Sequence, residues 1–189
     1  LYEGVKDFVN EINYKRFIMI AKSTGIINES LKRSQNVINF GYILYLLMKE
    51  KNYNSNIIET CVRRWIVYAI LTQRYSGSPE SKFDYDIKKL NDCENILDYI
   101  KLQEEAELSE AFWEKILPDK LNTSVTSSNY WKLFVACLIK SASKAFLSKH
   151  LTVRDLIEQR GDVHHIFPKD YLIKQGIAIQ QRYNQIANY

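Results

Sequence analysis

Apolar residues recur at three- and four-residue intervals through the first two-thirds of the chain, the period of helices with one buried face. Between Tyr2 and Ala21 they fall at Val5, Phe8, Val9, Ile12, Phe17 and Ile20, which predicts one helix stopped by Gly25. A second helix is expected from Gln35 to Lys51. It is apolar nearly all round from Val37 to Met48, as suits the centre of a core. After a polar break at residues 52–56, a third helix is predicted from Ser55 to Tyr75, with Ile58, Val62, Trp65, Ile66, Ala69 and Ile70 on one stripe. Arg63, Arg64 and Arg74 lie mostly off that stripe. Arg74 follows it directly and is expected to reach a carboxylate in the core rather than a DNA phosphate.

Tyr75-Ser76-Gly77-Ser78-Pro79 has the chemistry of a turn. Residues 82–103 then predict one or two amphipathic helices, interrupted near Asn91-Asp92. Glu104, Glu105, Glu107 and Glu110 read as a solvated acidic connection. A short helix is expected from Ser109, its cap, to Leu117, with Pro118 beyond its end. Residues 122–128 form a polar loop, and Ser128 or Asn129 can cap a helix running to Ser148. Trp131, Phe134, Val135, Leu138, Ala142, Ala145 and Phe146 repeat along it at helical spacing. His150 would sit at its C-terminal end, where a cation is favoured. Thr152 can cap one more short helix, to Glu158. Repeats, heptads and low-complexity tracts are absent from the sequence. The expected fold is mainly α: a helical bundle-like scaffold over residues 1–150, followed by a different, shorter element over 151–189.

Composition narrows the class. The 189 residues are 46% hydrophobic and 25% charged, ordinary for a globular protein, and six glycines with three prolines favour long regular elements. Thirteen tyrosines, eight phenylalanines and three tryptophans supply large apolar surface. Cys61, Cys93 and Cys137 are odd in number, widely spaced and without a CxxC. This argues against a disulfide framework or zinc ribbon and fits a reducing cytoplasm. Cys61 and Cys137 sit in apolar helical patterns and are expected to be buried. The most apolar run, Phe40 to Met48, is nine residues long, far short of the roughly 20 that span a bilayer, so no membrane partner is expected.

The net charge of +4 is unevenly placed. Residues 1–139 balance 18 Lys/Arg against 18 Asp/Glu, whereas residues 140–189 carry eight against four. The excess at that end, which includes Arg160, Lys169, Lys174 and Arg182, would attract a polyanion and position a phosphate backbone. A solvated basic face is the plainer reading of the same charges.

That end also holds all three histidines, two of them adjacent in Asp162-Val163-His164-His165-Ile166-Phe167-Pro168-Lys169. Imidazole titrates near neutrality, ligates metals and takes protons from water. The segment reads as extended, and a strand points successive side chains to opposite faces. One ring could then hold a cation while its neighbour activates water, the division of labour that metal-assisted phosphodiester hydrolysis uses. A hydrogen-bonded structural pair and an adventitious metal site are the alternatives.

Gly161 to Leu172, reading GDVHHIFPKDYL, resembles the start of the HNH (His-Me finger, ββα-metal) motif as found in the C-terminal half of GmrSD-type, modification-dependent restriction endonucleases. Arg74-Tyr75-Ser76-Gly77-Ser78, the run from Tyr130 to Ser148, and Tyr183-Asn184-Gln185-Ile186-Ala187-Asn188-Tyr189 resemble other segments of that half. The resemblance implies a DNA endonuclease of a type IV-like anti-phage system. Its hydrolysis would depend on a divalent metal, Mg²⁺ or Mn²⁺, with modified phage DNA as substrate and an upstream nucleotide-binding domain as partner. It implies His164 as metal ligand, His165 as general base, Asn188 bracing the loop before a second strand, and Asp162 supporting an imidazole. Asp170 could do the same. The motif also calls for a second strand and a helix bearing another Asn or His ligand, and the sequence stops at Tyr189 before both. The finger is therefore expected to be incomplete, and residues 1–189 alone to bind metal weakly and cut DNA slowly or not at all. A non-catalytic helical module that binds DNA or protein is the competing reading, and a small-metal regulatory site is a third.

Overall fold

The computed structural model describes residues 2–27, 35–122, 128–159 and 165–184. It is mainly helical, and among the described residues there is no β-strand. The chain packs as two compact units, residues 1–108 and 109–189, so the division expected at residue 150 falls inside the second.

In the first unit, α1 (Tyr2–Phe8) and α2 (Glu11–Lys22) replace the single expected helix. The break is at Asn10, whose backbone turns extended (ψ 116°) and whose side chain accepts the N–H groups of Ile12 and Asn13. The core is built on α3 (Gln35–Glu50) and α4 (Ser55–Leu71). Phe40, Leu44 and Met48 of α3 are fully buried, as the apolar run predicts, and so are Cys61, Val62, Trp65 and Ile66 of α4. Gly41 lets α2, α3 and α4 approach closely: a Cβ there would come within 3.2 Å of both Ile66 and Phe17. Of the polar break expected at residues 52–56, residues 52–54 lie between helices, while Ser55 and Asn56 already belong to α4. Asn52 takes φ +58°, Tyr53 N–H returns to Met48 C=O, and Asn54 caps α4.

The third helix ends earlier than its periodicity suggests, at Leu71 rather than Tyr75. Gln73 adopts φ +53° and the Arg74 N–H bonds back to Ala69 C=O, which closes the helix with a left-handed residue. That reversal drives Arg74 inward. Its Nε and Nη2 donate to the two carboxylate oxygens of Asp86 (2.8 and 2.6 Å), and its Nη1 donates to the Tyr68 hydroxyl oxygen and to Glu107. The Arg74 side chain is 2% exposed and that of Asp86 is 0% exposed. Tyr75 donates to Asp86 and receives the Trp65 indole N–H, so one hydrogen-bonded network joins Trp65, Tyr75, Asp86, Arg74, Tyr68 and Glu107. Burial opposes charge on Arg74, and the bonds and charge of Asp86 outweigh it, holding the guanidinium protonated.

Asp86 comes from α5 (Pro79–Asp92), which with α6 (Ile96–Glu107) forms the pair of helices expected over residues 82–103. Lys51 seals the end of α5 by donating to the carbonyls of Leu90 and Asn91. The acidic run is not a solvated connection throughout. Glu104 is bound by Arg64, and Glu107 accepts from Tyr68 and Arg74.

The second unit opens on a π-helical turn, Phe112–Ile116, that runs into α7 (Leu117–Leu121). Pro118 lies inside this helix rather than beyond it. A proline cannot donate and crowds the preceding turn, and the wider π spacing, with Leu117 N–H on Phe112 C=O, accommodates it. Next comes α8 (Asn129–Lys140), capped by Ser128 as expected. It stops eight residues short of Ser148 because Ala142 takes φ +50° and Ser143 N–H closes onto Leu138 C=O. Ala142 and Phe146, expected in the core, are exposed in consequence, and Cys137 is exposed as well. His150 sits in a turn, not at a helix end. Thr152 caps α9 (Val153–Glu158) through a reciprocal pair with Asp155. The Thr152 N–H and hydroxyl hold the Asp155 carboxyl below its ordinary range, so this cap is intact at neutral pH and weakens on acidification.

Removing one member of the buried pair leaves its partner's charge uncompensated. Arg74→Met should cost about 3–5 kcal/mol of unfolding free energy, whereas Arg74→Met with Asp86→Leu should recover most of it. Denaturant unfolding of the three proteins checks this, and equal losses in the single and double variants would contradict it.

Candidate functional site

The segment around His165 folds on local signals. Pro168 fixes an extended backbone (φ −55°, ψ 142°) and cannot continue a helix backwards, so α10 (Lys169–Lys174) starts just after it. Gly176, at φ +85°, ends α10. Its N–H bonds to Ile173 C=O and that of Ile177 to Leu172 C=O, a closure that calls for a left-handed residue. The chain then returns as α11 (Gln180–Tyr183), which packs against α10.

This return sets the geometry of the site. Tyr183 is buried, and the Lys169 ammonium lies 5.5 Å from the centre of its ring, within cation–π range. The next residue, Asn184, places Oδ1 3.0 Å from Nε2 of the half-buried His165. With Oδ1 facing Nε2, the contact is a hydrogen bond when the ring carries a proton at that nitrogen. Phe167 and Tyr171 stack at 6.1 Å along the same stretch.

Of the residues singled out by sequence, the structure therefore places His165 against a partner. Lys169, Asp170, Lys174 and Arg182 are exposed on α10 and α11. Arg160, Asp162, His164 and Asn188 lie outside the described residues, as do the run before His165 expected to be extended and the expected entry to a second strand after Asn184. Two residues with no assigned role, Gly176 and Asn184, form the reversal and the imidazole contact. Their sequence signals were a glycine after an amphipathic turn and a second asparagine four places before Asn188.

Among the described residues no three His, Cys, Asp or Glu side chains converge as a metal site. Cys61 offers no nucleophile, since burial pushes its thiol up to about 11. A groove of about 800 Å³ in the first unit is lined by Arg16, Met19, Tyr45, Lys49, Tyr53 and others, and shares no residue with the histidine segment. No helix among the described residues is long and apolar enough to cross a membrane. Comparison with known protein families, curated proteins and solved structures finds no match to this chain.

The Asn184 contact predicts a specific spectrum. Imidazole ¹⁵N shifts of His165 should report one dominant tautomer, protonated at Nε2, and Asn184→Ala should convert it to a mixture while the first unit melts unchanged. An unaltered ring spectrum in the variant would show that the contact does not set the tautomer.

Proposed function

We propose that the chain is the nuclease part of an HNH (His-Me finger) DNA endonuclease of a modification-dependent, type IV-like restriction system. The observation that carries this reading is the 3.0 Å contact between His165 and Asn184. It joins the two stretches whose sequences resemble the finger motif, HHIFPK and YNQIANY, and gives the imidazole a fixed neighbour, which a positioned general base needs. In this reading His165 takes a proton from water as the water oxygen attacks phosphorus and the phosphorus bond to the leaving oxygen breaks. Asn184 is a positioning residue that keeps the basic nitrogen in place. Lys169, Lys174 and Arg182, with Arg160, contribute positive charge toward a DNA backbone.

A divalent cation, Mg²⁺ or Mn²⁺, held by His164, would stabilise charge on the phosphate. The described residues do not supply a donor set for such an ion by themselves: His165 is turned to Asn184, and no acidic cluster stands beside it. Modified phage DNA as substrate, nucleotide control through an upstream domain, and a cytoplasmic setting belong to the same proposal.

The test is cleavage of glucosylated and plain DNA by the full-length protein with Mg²⁺ or Mn²⁺. A general base contributes about 10²–10⁴-fold, so His165→Ala should lower the cleavage rate by that factor and leave DNA affinity unchanged. Cleavage that survives His165→Ala would overturn the assignment. Metal-independent DNA binding with no cleavage under any condition would favour the non-catalytic module.

A further inference from the structure

Residues 141–152, between α8 and α9, make a tight hairpin-like loop. Ala145 N–H bonds to Leu151 C=O and Val153 N–H to Ser143 C=O, which brackets a bridge between Lys144 and Thr152. Ser148 N–H then closes a four-residue turn onto Ala145 C=O. The turn's third position is Leu147, at φ +62°, where such turns ordinarily take glycine or asparagine. This residue is 91% exposed, and Phe146 beside it is 69% exposed. The turn thus combines two unfavourable choices, a strained backbone at a residue with a Cβ and two large apolar side chains held in water. Neither helps the fold, because Ala145 is the only residue of the turn that is buried. A local rule broken without a structural gain points to a surface under selection for contact.

The surroundings identify the partner's chemistry. From Lys140 to Arg154 the chain has four Lys/Arg and no Asp or Glu. The ammonium of Lys144 is held at the neck of the loop by the Lys149 carbonyl. Ser148 Oγ accepts the N–H groups of His150 and Leu151, which sets both sides of the tip. Asp155, the next carboxylate, is spent on the Thr152 cap, and Glu158 faces Arg154. The tip is therefore an apolar wedge of two adjacent side chains on a cationic neck.

We propose that Phe146 and Leu147 form a wedge that enters a base step of duplex DNA and kinks it, while Lys140, Lys144 and Lys149 hold the flanking phosphates. Proteins that bend DNA through the minor groove use phenylalanine and leucine in this way, and the resulting bends run to about 20–90°. The proposal rests on the nuclease reading for its partner but not on His165 or on metal. The wedge would deform the duplex in the same compact unit that carries the histidine segment.

The experiment uses a 20-base-pair duplex with a fluorescent donor and acceptor at its two ends, in EDTA so that no cleavage occurs. The intact protein should bind with strong salt dependence and raise energy transfer by bending the duplex. Phe146→Ser with Leu147→Asn keeps a residue that tolerates the left-handed turn and removes the wedge. It should weaken binding on the order of tenfold and abolish the rise in transfer, with a melting temperature no lower than the parent's. Bending and affinity unchanged in the wedge variant would overturn the proposal while leaving His165-dependent cleavage as a separate question. Absence of duplex binding would overturn it too, as would loop-dependent binding to phosphatidylserine vesicles in place of DNA.

Discussion

Arg74 and Asp86 face each other through two hydrogen bonds in a place where neither meets water, and residues 1–108 are organised around that constraint. A buried guanidinium is tolerable only when its donors are met by acceptors of fixed position. Asp86 on α5, Tyr68 on α4 and Glu107 at the end of α6 supply them, so these three helices must adopt one register for the pair to survive. The aromatic residues around it follow. Trp65 and Tyr75 lend polar edges to the network and apolar faces to Phe40, at 5.6 and 5.1 Å. Hydrophobic burial supplies the driving force, and the ionic network selects which packing is reached.

The same network explains what the sequence could and could not convey. Helical spacing located the central helices well, because the buried stripe of α4 and the all-apolar run of α3 leave few alternatives. An inward-facing Arg74 was also legible, since it directly follows that stripe. Helix ends were not. Asn52, Gln73 and Ala142 close α3, α4 and α8 in the left-handed region without a glycine to announce it, so periodicity overran α4 and α8. At Ala142 the error matters most: the apolar positions that continue the helical pattern, Phe146 above all, lie on a solvent-exposed turn. A three- or four-residue repeat cannot distinguish those cases, because an apolar loop tip continues the count by accident.

For the candidate site, the unusual residues were legible and their surroundings were not. Two adjacent imidazoles in a basic C-terminal stretch stand out by residue type alone. The partner of His165 depends on where the chain turns back, and that is decided by Gly176 and the burial of Tyr183 rather than by any spacing. Asn184 therefore takes a position beside the ring that the resemblance alone would not have picked, while Asn188 and His164 lie outside the described residues. The first unit and the histidine segment meet different demands. The one is built around a desolvated ion pair, and in the other a proline, a glycine and the buried Tyr183 set where the chain turns.

In the proposed function neighbouring imidazoles divide the work, one toward a cation and the other toward water. ¹⁵N spectra of both rings during Zn²⁺ titration of the full-length protein test it most directly, because zinc accepts imidazole nitrogen readily. The account predicts that the His164 ring alone shows a coordinated nitrogen, while His165 keeps its Nε2 proton on Asn184. Joint movement of both rings, or of neither, would contradict it.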